Sequence, residues 1–134
     1  MRSRVKQYIY HRRTFIIKLY ALIQYREGGA EEMAIMEISV IPVGASVSLS
    51  KFVARAIQAL EGESDIDYEL TSMGTIVVGE LDRLLAVAQK MHLAVMDSGV
   101  QRLVTLIKID DRKDKPITLR SKLEAVRQQL GERD

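Results

Sequence analysis

The sequence predicts an α+β fold in which strands and helices follow one another as βαββαβ, with one more helix towards the C-terminus. Three observations carry that prediction. Two short runs alternate apolar and polar residues with period two and two more are apolar runs of strand length, three longer runs place apolar residues on one helical face, and glycine, proline or charged turns stand between them. With 134 residues and 47% apolar side chains, the chain has the material for one globular domain with its own core.

The first strand is "MEISVIP", Met36 to Pro42, in which Met36, Ile38 and Val40 alternate with Glu37, Ser39 and Ile41 before proline closes the run. In "SLSKFVARAIQALEG", Leu49, Phe52, Val53, Ala56, Ile57 and Leu60 form one helical face. Ser48 stands where an N-cap is expected and Gly62 where the helix stops. "IDYEL", Ile66 to Leu70, alternates again, and a turn at Ser72-Met73-Gly74 leads into a third strand, "TIVVGE".

A second helix is expected from Leu81 to Met96, with Leu81, Leu84, Leu85, Ala88, Met91 and Val95 inward and Gly99 ending it. The fourth strand is "RLVTLIKID", Arg102 to Asp110. The charged turn "DRKDKP" leads to a last helix begun by Thr118, with Leu119, Leu123, Val126 and Leu130 at helical spacing. Two split βαβ units with right-handed crossovers give a ferredoxin-like sandwich, a four-stranded antiparallel sheet with two helices on one face.

Residues 1–32 are compositionally foreign to this pattern. They hold four of the five tyrosines and seven Lys/Arg against three acids, whereas residues 33–134 carry thirteen against fifteen. "TFIIKLYALIQY" is interrupted by Lys18 and lacks a small-residue cleavage site, so it does not read as a secretory signal, and it is short for a membrane span. Its apolar residues at helical spacing allow an amphipathic interfacial helix. The preferred reading is an upstream extension: "REGGAEEM" back-translates to purine-rich codons of the ribosome-binding kind, which makes Met33 the natural start. The expected division is a leader at 1–32 and a ligand-binding domain at 33–134.

Several chemistries are excluded or disfavoured. There is no cysteine, hence no disulfide, thiolate metal site or Cys nucleophile. His11 and His92 are too few to build a zinc site without help from carboxylates, and His92 reads as a half-exposed helix residue. No Ser-His-Asp order or phosphate-cradling glycine loop is present. An RNA-recognition module needs sheet aromatics, and the body has only Phe52 and Tyr68. The body's charge is near balance, so it offers no electrostatic footprint for nucleic acid. No membrane partner, metal or cofactor is expected either.

The face of the sheet away from the helices should read polar, yet the fourth strand is apolar on both parities. Leu103, Ile107 and Ile109 fall on one and Val104 and Leu106 on the other. A second subunit's sheet is the expected cover, making the protein an obligate oligomer. Polar residues in such a sheet are candidate ligand contacts. With the first and third strands as central neighbours, Ser39 and Thr75 are expected side by side, with Glu37, Tyr68, Glu80 and Arg102 around them.

The blocks "ISVIPVG", "YELTSMGTIVVGE" and "RLVTLIKIDDRKDK", followed by a "KLEAV" helix, resemble the thiamine-binding protein family over about Ile35 to Leu130. The resemblance implies a cytoplasmic homo-oligomer, usually a tetramer built from dimers with packed sheets. It implies binding of thiamine or its hydroxymethylpyrimidine part, without catalysis. Carried over by position, it points to Ser39, Tyr68, Thr75, Glu80, Arg102, Asp110 and Arg112 as ligand-binding residues. Members often carry an acidic residue before the glycine of the third strand, where this chain has Val78. The physical reading agrees: hydroxyls and a carboxylate pair with an aminopyrimidine edge, an aromatic ring stacks on it, and a carboxylate or ring face suits the thiazolium cation. The alternatives are an oligomeric regulatory or sensor protein, and an enzyme acting on a small phosphorylated metabolite through "DRKDK".

Overall fold

The computed structural model describes residues 32–131. The expectations for the leader, and for His11, lie outside the described residues. The elements are β1 (Met33–Pro42), α1 (Ser50–Gln58), β2 (Asp67–Leu70), β3 (Thr75–Glu80), α2 (Leu81–Met96), β4 (Leu103–Asp111) and α3 (Ser121–Leu130). All strand pairs are antiparallel and the sheet order is β2-β3-β1-β4. With α1 and α2 on one face, this α+β arrangement fits the ferredoxin-like fold.

β1 is three residues longer than its alternation from Met36 indicates, because Ala34 continues the buried parity and Met33 pairs with Glu80. Ala34, Met36, Ile38 and Val40 face the helices and are all buried. Met36 stands opposite Val77, both at 0% exposure, and this pair is the centre of the core. α1 adds Phe52 and Ala56, and α2 adds Leu84, Val87, Ala88, Met91 and Val95. Truncating a core side chain such as Met36 to alanine costs about 2–5 kcal/mol.

Leu81 and Leu85, expected inward, are exposed, and Val87 takes a buried place instead. The buried stripe of α2 runs through Leu84, Ala88, Met91 and Val95, which puts Leu81 and Leu85 on its flank. Ser48 does not cap α1. The helix starts one turn position later, with Leu49 as N-cap and no side-chain cap bond, and the Ser48 hydroxyl lies 3.2 Å from that of Ser50. Thr118 does not cap α3 either: the N-cap is Arg120, without a side-chain cap bond, and Thr118 instead closes the turn that leads into the helix, with Ser121 N–H donating to the Thr118 hydroxyl at 3.1 Å and Thr118 N–H to the Ser121 hydroxyl at 3.0 Å. His92 is half-buried, its Nδ1 2.7 Å from the Thr105 hydroxyl of β4.

The β2–β3 turn is built by Thr71, whose N–H and hydroxyl both donate to the Gly74 carbonyl, at 2.9 and 2.8 Å. Gly74 is required there by close approach. A Cβ on it would lie 2.9 Å from Ser39 Oγ and 3.1 Å from the Ile38 carbonyl oxygen.

Candidate functional site

Strand alternation and register determine what the sheet presents away from α1 and α2. β1 turns Ile35, Glu37, Ser39 and Ile41 to that open face. Across from them on β4 stand Asp110, Lys108, Leu106 and Val104 respectively. β3 contributes Ile76 and Val78, opposite Glu37 and Ile35, and β2 contributes Glu69 opposite Ile76. Val104 and Leu106 are exposed, Leu106 at 58%. The two-sided apolarity of β4 is therefore real, and its outer side is uncovered in the single chain.

α3 stands beside this face with none of its residues buried, leaving Leu123, Val126 and Leu130 exposed. Between α3 and the sheet lies a cleft of about 320 Å³. Ile35 and Ile76 from the sheet and Leu119 and Leu123 from the α3 side give it apolar walls. Glu37, Glu69, Lys108, Asp110 and Lys122 bring charge to it. That volume, with apolar walls and a few polar groups, falls in the range of small-molecule sites.

The charges are mostly paired. Lys108 Nζ lies 2.5 Å from Glu37 Oε2, directly across the β1–β4 ladder. Lys122 of α3 meets Asp110 of β4, and this ion pair ties the helix to the sheet. The Lys122 ammonium, reinforced by Arg112, holds the Asp110 carboxyl below its ordinary range. Arg112 itself forks onto Asp114, bonded first through its Nε at 2.6 Å. Among the described residues, no group of three His, Asp or Glu side chains is placed to hold a metal ion.

The seven residues singled out from the sequence do not form one cluster within the chain. Ser39 and Asp110 lie on the open face, and Glu80, two residues beyond Val78, ends β3 on the same parity. Ser39 Oγ donates to the Met73 carbonyl at 3.0 Å. Burial, reinforced by Asp82 and opposed by Arg83, pushes the Glu80 carboxyl above its ordinary value. Thr75 pairs with Ile38, not Ser39, and is 3% exposed on the helix-facing parity. The expected Ser39–Thr75 juxtaposition is thus corrected by the register: the two occupy opposite faces, and Gly74 is the neighbour of Ser39. Tyr68 shares the parity of Val77, on the helix side of an edge strand. Arg102 precedes β4 at the end opposite Asp110, its carbonyl accepting from Val43 N–H at 2.9 Å.

Glu69, Lys108 and Lys122 belong to the cleft and were not among the sequence candidates. The alternation of β2 and β4 puts Glu69 and Lys108 on the open parity, but only the register brings them together. Lys122 is the second residue of α3 and meets the sheet only through its ion pair with Asp110.

The profile of the family described as thiamine-binding protein matches residues 36–127. The protein YqgV of Bacillus subtilis is 45% identical over 102 residues, spanning 73% of this chain and 98% of the relative. The chain belongs to the thiamine-binding protein family. A relative from Methanothermobacter thermautotrophicus is 41% identical over 100 residues, 73% of this chain and all of that one. Two solved structures share the fold. A hypothetical protein of Methanocaldococcus jannaschii aligns with a TM-score of 0.66 and 38% identity, over 71% of this chain and 96% of that one. A domain of unknown function from Bacillus cereus aligns with a TM-score of 0.62 and 30% identity, over 74% and 94%.

One residue in this chain stands apart from the acidic pattern expected of the thiamine-binding protein family. Val78 is on the open parity yet only 2% exposed, and like Ile117 it is buried outside the helix-side core. A carboxylate at that depth would need a partner to offset its desolvation, and valine buries without that cost.

Proposed function

We propose that this chain is a cytoplasmic small-molecule binding protein that takes thiamine or its hydroxymethylpyrimidine moiety on the open face of its sheet and performs no chemistry on it. The observation that carries this reading is the cleft beside α3, apolar on its walls and edged by carboxylates, in a member of the thiamine-binding protein family. A pyrimidine ring presents a flat apolar face to Ile35 and Ile76 and an amino group to a carboxylate acceptor. Of the sequence candidates, Ser39, Glu80 and Asp110 share the open face with the cleft. Thr75 and Tyr68 stand on the other parity, and Arg102 and Arg112 flank the two ends of β4.

The same face supports assembly. Leu106 and Val104 of β4 and the exposed leucines of α3 offer a second copy an apolar surface, and sheet-to-sheet packing buries both. The proposed assembly is a homotetramer made as a dimer of dimers.

Calorimetry of the full chain with thiamine and with hydroxymethylpyrimidine tests the ligand. Saturable binding of either, with a stoichiometry tied to the subunit count from native mass spectrometry, supports the reading. Failure of both to bind at millimolar concentration overturns it.

A further inference from the structure

We infer that the cleft beside α3 selects a flat organic cation and turns away phosphorylated ligands, and that Glu69 sets this preference. The inference rests on the reading of the open face as a ligand site. Five charged side chains reach the cleft, three carboxylates and two ammonium groups. Both ammonium groups are engaged, Lys108 by Glu37 at 2.5 Å and Lys122 by Asp110. Glu69 has no ion-pair partner among the described residues. Its register partner is Ile76, so its carboxylate projects from the open face beside the apolar wall.

The two classes of ligand meet different costs here. An organic cation finds Glu69 unpaired, and no existing ion pair has to open. A phosphate ester meets a lining with one negative charge in excess, and the charge of each lysine it could reach is already offset by a carboxylate beside it. The apolar walls favour a ring over a chain, since a flat face covers Ile35, Ile76 and Leu119 without burying a polar atom. Glu69 is exposed, so its influence is a matter of severalfold and salt-sensitive, not of all or none.

The test uses two probes alike but for charge, benzyltrimethylammonium and benzyl phosphate, titrated into the full chain at low salt with amide and methyl shifts as the readout. The expected result is saturable shifts at Ile35, Glu69 and Ile76 for the cation, with the phosphate at least roughly tenfold weaker. Glu69→Gln should weaken the cation by roughly fivefold and Glu69→Lys should reverse the preference. Both variants sit on an exposed edge strand, and unchanged circular dichroism confirms that they fold. Equal or tighter binding of benzyl phosphate, no binding of either probe, or an unchanged preference in Glu69→Lys overturns the inference. The broader reading fails separately, when the cation binds as expected but neither thiamine nor hydroxymethylpyrimidine does.

Discussion

Lys108 and Glu37 face each other across the β1–β4 ladder and close to 2.5 Å on the open side of the sheet. Lys108 is 80% exposed and Glu37 32%, so the pair itself is worth about 0.2–1 kcal/mol at most. Its larger effect is on the cleft, where it neutralises one of three carboxylates. Lys108→Gln is therefore expected to leave the melting temperature nearly unchanged and to tighten binding of an organic cation by roughly two- to fivefold at low salt. Parallel thermal melts and titrations check both halves.

Assembly through the open face gives a second expectation. Leu106→Asp places a charge in the middle of that face, where burial against another sheet leaves it unpaired at a cost of several kcal/mol. The unmodified chain should scatter as an oligomer at micromolar concentration and the variant as a folded monomer. A monomeric unmodified chain under those conditions removes the assembly.

Glu80 sets a pH dependence. Burial first, and Asp82 second, hold its carboxyl above the ordinary 4.5. A raised folded value means that the native chain binds this proton more tightly than the unfolded chain does. The stability it contributes is full below the unfolded value and is lost as pH rises through the folded one. Glu80→Gln, neutral throughout, should raise the melting temperature near neutral pH and change it little below about pH 4. Melting curves across that range decide it.

Gly74 is held by steric necessity at Ser39. Gly74→Ala sets a methyl 2.9 Å from Ser39 Oγ and 3.1 Å from the Ile38 carbonyl, and is expected to destabilise the chain by about 1–3 kcal/mol. Adding Ser39→Ala should recover only part of that loss, because the carbonyl cannot give way as a side chain does. Denaturant midpoints of the two single variants and the double variant measure the coupling.

The order of elements is legible because periodicity is a local property. α2 begins and ends where its apolar spacing and Gly99 indicate, and the four strands fall on the runs expected of them with ends shifted by three residues at most. The site is much less legible. Ser39 and Thr75 look like partners in neighbouring strands, but one residue of register separates the two faces of a sheet, and Thr75 pairs with Ile38. The cleft draws on four strands and the segment around α3, so Lys108 with Glu37 and Lys122 with Asp110 meet only through tertiary pairing. The apolar surplus of β4 was visible because it depends on a single strand's parity, whereas Asp110 entered through the family resemblance and not through any pattern of its own strand.

β2 has all four residues exposed, and its lead-in is tied to α2 by charge: Arg83 reaches Asp65 and Glu63 at 2.5 Å each, and Lys90 reaches Glu63 at 2.6 Å. Little apolar surface is lost when this strand peels from β3, so its amides have a low-energy route to solvent that the Met36–Val77 pair denies to the middle of the sheet. The sheet thus has a fast-exchanging margin and a slow-exchanging centre. Salt, by screening the Arg83 and Lys90 pairs, acts on the margin first.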